Sequence, residues 1–239
     1  MQPLASLEGH DNDTLMYLIH GLVLILFVGW AIYYIFVLIK FRQSNNPKVT
    51  DTHTAHKISS AVEWGVVAVE FFLLFVFSIP FWAVHQASLP AGKDIMEVKL
   101  VAQQFAWNVH YAGPDKIFGR ASARFLASNP LGLDPDDPAG KDDITTMNQI
   151  YLPVNKTVII RLTSKDVIHS FGLPAMRVKQ DIIPGMTTQV WFTPNKIGQF
   201  EIACSQLCGI GHYRMRGIVN VVSQSDFDQW IQQNKGIND

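Results

Sequence analysis

From Thr14 to Ile39 the chain carries no charged residue: TLMYLIHGLVLILFVGWAIYYIFVLI. At about 1.5 Å per residue, a helix over this run outspans a hydrocarbon core of about 30 Å. In lipid a single segment can satisfy its own backbone only as a helix. The apolar region of a secretory leader is shorter and follows a basic start. Residues 1–14 instead hold Glu8, Asp11 and Asp13 and no Lys or Arg. The run therefore reads as a retained transmembrane helix over about 14–40, not as a cleaved leader.

A second apolar stretch, from about Ala61 to Val84, carries Glu63 near its start and Glu70 inside. Its length and its FFLLFVF run favour a second span over a soluble core helix. Trp30, Tyr33, Tyr34, Trp64 and Trp82 lie near the span ends, where amphipathic rings prefer the interface. The segment between the spans holds Lys40, Arg42, Lys48 and Lys57. The positive-inside rule then places that loop in the cytoplasm and both termini outside. Residues 1–90 are thus expected to form a transmembrane hairpin and residues 91–239 an extracytoplasmic domain.

Composition agrees with a partly membrane-resident chain. Apolar residues make up 48% of it and charged residues 16%, against about a quarter charged in soluble proteins. Mean hydropathy is +0.13. With a net charge of −1 and no Lys/Arg cluster, the chain offers no surface for a phosphate backbone, so nucleic acid is excluded as a partner. It is too apolar to be disordered. Two cysteines allow one bridge or one metal site, not a disulfide framework.

After Pro90 the pattern changes from continuous apolar runs to alternation. Strand-like segments are IMEVKLVAQQFAWNVHY, NQIYLPV, TVIIRLTS, TTQVWFTP, QFEIACS and RGIVNVV, separated by turn residues such as Asn155, Pro184-Gly185, Pro194-Asn195 and Gly198. This predicts an all-β antiparallel sandwich or barrel. A short helix is predicted over SDFDQWIQQ, started by Ser225 and Asp228, with Phe227, Trp230 and Ile231 on one face. An insertion at about 119–146 is rich in Pro, Gly and Asp. Its residues 134–143 hold five Asp and one Lys, which reads as a solvated loop or as an acidic docking patch.

The stretch that carries chemistry is Cys204-Ser-Gln-Leu-Cys208-Gly-Ile-Gly-His212-Tyr-Arg-Met215, with His169 upstream in DVIHSF. Loops at one end of a small barrel converge, so His169 can meet it. Thiolates and a thioether are soft donors, and a His/Cys set with a weak axial Met is the chemistry of copper electron-transfer sites. A mononuclear blue-copper site uses one Cys. Two Cys and two His suit two coppers bridged by both thiolates, each copper taking one His, with Met215 and a backbone carbonyl as axial donors. Structural zinc accepts Cys₂His₂ but leaves Met215 unexplained. A Cys204–Cys208 disulfide is permitted outside the cytoplasm. His10, His20, His53, His56, His85 and His110 show no such grouping and read as surface or interface residues.

Two spans, DVIHSF, the K-x-D-x-x-P-G element of Lys179, Asp181, Pro184 and Gly185, and the loop CSQLCGIGHYRM together resemble subunit II of the haem-copper cytochrome c oxidases. The resemblance covers most of the chain. It implies a cupredoxin-like Greek-key barrel and a dinuclear copper centre, CuA. Its ligands fall on His169, Cys204, the backbone carbonyl of Gln206, Cys208, His212 and Met215. It further implies electron uptake from cytochrome c and delivery to haem in subunit I, among other membrane subunits. There oxygen is reduced and protons are pumped, in the inner (cytoplasmic) membrane of a bacterium with the copper domain on the periplasmic side.

Three positions depart from that family. Gln206 stands where it usually has a Glu that also binds magnesium, and a neutral amide counts against a shared magnesium ion. Gln104-Phe105-Ala106-Trp107 replaces its aromatic stretch, so electrons would enter through Phe105, with Trp107 nearby, unless both are core residues. Glu63 resembles the carboxylate at the mouth of a proton-uptake channel, the other reading being a snorkelling interface residue. No C-x-x-C-H occurs, so no c-type haem is fused to the chain and the donor is a separate protein. The complete ligand set disfavours a quinol donor. A CuA subunit of a different haem-copper enzyme, such as a nitric oxide reductase, and a non-redox membrane-anchored β-domain with a disulfide remain as alternatives.

Overall fold

The computed structural model describes residues 3–42, 53–80, 82–83, 90 and 95–236. Lys48, His85, the end of the second apolar stretch at Val84 and the expected boundary at residue 91 lie outside them. The chain divides into two compact units. One is Leu15–Leu89; the other joins Met1–Thr14 to Pro90–Asp239.

The first unit is helical. Helix α1 (Gly9–Lys40) and the helical stretch Ser59–Ser78 are long and apolar enough to cross a membrane. The second begins as α2 (His53–Phe72) and continues as a π-helical segment, Leu73–Ser78. Large apolar side chains from Tyr17 to Ile39 and from Val62 to Ile79 are exposed, far beyond the apolar patches water tolerates. The chain is membrane-anchored.

The second unit is a sandwich of two five-stranded sheets. One sheet contains β1 (Met96–Gln103), β2 (Ala106–Tyr111), β3 (Ile144–Met147), β5 (Val158–Ser164) and β8 (Thr188–Phe192), in the order β3-β2-β1-β5-β8. The other contains β4 (Gln149–Pro153), β6 (His169–Leu173), β7 (Val178–Ile182), β9 (Gly198–Cys204) and β10 (Arg216–Val222), in the order β4-β10-β9-β6-β7. The sheets are mixed, because β1 pairs parallel with β5 and β10 parallel with β4. The alternation that marks β1 and β5 in the sequence puts Val98, Leu100, Ala102, Val158, Ile160 and Leu162 wholly inside, each worth up to about 1.5–3 kcal/mol for the larger side chains. Trp107, Phe171, Phe192 and Ile150 fill the space between the sheets. The architecture is the cupredoxin-like one expected.

Several expectations need correction. The long first strand segment breaks into a β1–β2 hairpin at Gln104-Phe105. The insertion ends at Asp143, because Ile144–Met147 is strand β3, paired with β2. Two of its five Asp residues are turned inward: Asp143 is fully buried against His110 at 2.6 Å, and Asp134, also buried, takes Arg124 and Arg120. His110 is accordingly a core residue, not a surface one. Finally, the helix α3 (Gln224–Asn234) is capped by Ser223, whose hydroxyl accepts from the Asp226 amide at 3.1 Å, two residues before the expected start. Its predicted face holds: Trp230 stacks on Tyr151 at 4.5 Å and meets Tyr111 edge-on at 5.1 Å.

Candidate metal centre

Three strands of the second sheet deliver the chemistry to one end of the sandwich. β6 opens at His169, β9 closes at Cys204, and β10 starts directly after Met215. The loop between β9 and β10 is closed at its neck by the Cys204 amide donating to the Met215 carbonyl at 3.2 Å. A single 3-10 turn, His212–Arg214, follows Gly211. With three residues per turn, it brings His212 and Met215 to the same side.

The result is a chain of soft donors in contact. Cys204 Sγ lies 3.8 Å from Cys208 Sγ and 4.0 Å from His169 Nδ1. Cys208 Sγ lies 3.6 Å from His212 Nδ1 and 3.7 Å from Met215 Sδ. The Gln206 carbonyl oxygen accepts from the Cys204 thiol at 3.1 Å. The ligand atoms of His169, Cys204 and Cys208 all fall within 4.8 Å of one another. Both cysteines are free, so the disulfide alternative does not describe this structure. All six sequence-expected groups are therefore brought together. Burial, reinforced by Cys204, pushes the Cys208 thiol up to about 11; a bound cation is what reverses such a penalty.

Two residues around the cluster had no role assigned from the sequence. Asp166 Oδ1 lies 2.9 Å from His169 Nε2, and Asp166 Oδ2 accepts from the Gln104 amide at 2.7 Å. Burial alone would raise the Asp166 carboxyl, but these bonds and that from the Val167 amide outweigh it and hold it below its ordinary value. With Nε2–H donated to Asp166, His169 keeps the lone pair of Nδ1 toward Cys204. Gln104 also donates its side-chain amide to the Cys208 carbonyl at 2.7 Å. The signal for Asp166 was its place three residues before His169 in DVIHSF.

Phe105 sits at the hairpin tip against the metal loop. A Cβ on Gly211 would stand 2.5 Å from its ring, so only glycine lets the loop approach that closely. Trp107 is fully buried, edge-on to His169 at 6.3 Å and to Phe171 at 6.0 Å. Glu63 lies in the helical unit on α2, where Ser59 donates to it at 2.9 Å.

The family model described as cytochrome C oxidase subunit II, periplasmic domain, matches residues 96–222, more than half of the chain. The chain belongs to the cytochrome c oxidase subunit II family. It is similar to the alternative cytochrome c oxidase subunit 2 of Bradyrhizobium diazoefficiens, with 40% identity over 154 residues, 63% of this chain. That alignment takes in only 55% of the relative's length. A probable cytochrome c oxidase subunit 2 of Rickettsia bellii is 32% identical over 222 residues, 92% of this chain and 76% of the relative. Among solved structures, the periplasmic domain of subunit II of cytochrome oxidase of Bradyrhizobium japonicum is 33% identical, with a TM-score of 0.45, covering 62% of this chain and 96% of that one.

Proposed function

We propose that this chain is the electron-input subunit of a respiratory terminal oxidase. In this reading it holds a dinuclear copper centre through His169, Cys204, Cys208, His212, Met215 and the carbonyl of Gln206. The observation that carries it is the unbroken run of contacts from His169 Nδ1 through both sulfurs to His212 Nδ1 and Met215 Sδ.

The donor set fits that group. A structural zinc site takes four ligands of the N, S and carboxylate kinds and would leave the thioether idle. A single copper would leave a thiolate idle. When bound, the copper pair supplies reversible one-electron transfer. The chain's own residues hold the geometry constant. Asp166 fixes the His169 tautomer, Gln104 ties down the Cys208 carbonyl, and both cysteines and Met215 are buried away from water. The Gln206 side chain offers no carboxylate for magnesium.

Electrons are taken from cytochrome c, a separate protein, and passed to haem in subunit I, where oxygen reduction is coupled to proton translocation. Leu207 and Ile210, which are 76% and 96% exposed on the metal loop, fit a surface that a protein partner covers. Phe105, half-buried beside Gly211, is the better candidate for electron uptake; Trp107 is fully buried in the core. Glu63 is proposed for proton uptake.

The metal domain and both termini are assigned to the outer face of the bacterial inner membrane. This is supported by the loop charges and by the pairing of Ser6 with Pro194, which ties the N-terminal segment to the β-domain. The test is rapid mixing of the copper-loaded chain with reduced cytochrome c. Oxidation of the cytochrome matched by reduction of the copper centre is expected. A copper-loaded chain that leaves cytochrome c reduced contradicts the proposal.

A further inference from the structure

Residues 4–8 precede α1 and residues 9–13 begin it, yet this segment groups with the β-domain. Ala5 donates its amide to the Ala175 carbonyl at 2.8 Å and accepts from the Asn195 amide at 3.0 Å; the Leu7 amide donates to the Thr193 carbonyl at 3.0 Å. Ala5 and Ser6 are fully buried, and the Ser6 hydroxyl donates to the Met176 carbonyl at 2.8 Å. Both carboxylate oxygens of Glu8 accept from Thr193, one from its amide and one from its hydroxyl, each at 2.8 Å. Just past the first turn of α1, Asp13 takes a two-pronged contact from Arg177, at 2.6 and 3.0 Å. A fork of this kind sets angle as well as distance.

These bonds satisfy backbone groups at two corners of the sandwich, the turn after β6 and the turn after β8. A buried amide or carbonyl without its partner is costly, so the corners are incomplete without residues 4–8. We propose that residues 4–13, extended over 4–8 and entering α1 from Gly9, are captured by the β-domain and complete it. The metal-bearing domain then reaches full stability only when the segment before the first span lies on the same side of the membrane as residues 95–236. The capture acts as a built-in check on membrane topology, and it does not depend on which metal the domain holds.

The test uses the full chain in detergent or membranes, comparing wild type with Arg177→Asp, Glu8→Ala and the exchange Asp13→Arg/Arg177→Asp. Two quantities are read: hydrogen exchange at Ala5, Leu7 and Asn195, and the urea midpoint of the β-domain. Both single variants are expected to speed exchange at the three amides together by about tenfold or more and to lower the midpoint. The charge exchange should return both toward wild type. Exchange within about twofold of wild type in both single variants would overturn the proposal. So would faster exchange with an unchanged midpoint, which would make the segment an ornament on a self-sufficient domain. Glu8→Ala lies away from the Arg177 fork, so an unfolded Arg177→Asp chain still leaves a decisive variant.

Discussion

The Nε2 atom of His169 lies 2.9 Å from Oδ1 of Asp166, while the opposite ring nitrogen faces Cys204 Sγ at 4.0 Å. One imidazole thus joins a carboxylate on a loop to a thiol at the end of β9. Replacing Asp166 by Ala frees the ring and its tautomer. Copper affinity should fall by about 10–100-fold with the fold retained, as for other carboxylate–histidine–metal arrangements. Copper titration against a chelator, with circular dichroism as the control, measures it; unchanged affinity would remove Asp166 from the site.

Gly211 and Phe105 should behave as a coupled pair. Gly211→Ala places a methyl group into the Phe105 ring, an overpacking expected to cost about 1–3 kcal/mol and to displace His212 one residue on. Phe105→Ala makes the room that the methyl needs. The double variant should therefore recover most of the loss, and a double-mutant cycle on thermal unfolding reads the coupling.

Phe105 and Trp107 should separate by readout. Trp107→Ala empties a fully buried position between the sheets and should destabilise the domain by about 3–5 kcal/mol. Phe105→Leu should leave stability nearly unchanged and slow electron uptake from cytochrome c. Denaturant unfolding and stopped-flow kinetics on both variants check this.

Much of this was legible in the sequence. The metal cluster was readable because five of its six groups lie in one loop and the sixth directly follows a strand-like run. The sandwich was readable where one face is apolar, as in β1, β5 and β10. Strands β6 and β7 were not, because every residue of HSFGL is buried whatever its polarity and VKQDI is an edge strand with one residue fully inside. The His110–Asp143 pair and the Glu8–Thr193 contact join residues 33 and 185 positions apart, which no local period announces. Ser225 and Asp228 have the spacing of a helix cap, but it is Ser223 that has the extended backbone a cap requires.

The acidic insertion should carry an acid limb of its own. Asp137 accepts from the Arg120 amide at 2.7 Å, and this bond, with that from the Ala139 amide and the nearby Arg120 charge, holds its carboxyl below the ordinary range. A depressed folded-state value means that the stabilisation is complete above the unfolded value of about 3.9 and is lost as pH falls through the folded one. The Arg120 and Ala139 amide resonances should shift in that acid window in wild type. In Asp137→Asn that transition should be missing.

Metal stoichiometry and spectroscopy test the central claim most directly. The isolated full chain, loaded with copper under reducing conditions and then partly oxidised, should hold two coppers, with one unpaired electron coupled equally to two copper nuclei in its EPR spectrum. One copper per chain, a single-nucleus signal, or preferential retention of zinc would contradict a dinuclear centre built from His169, Cys204, Gln206, Cys208, His212 and Met215.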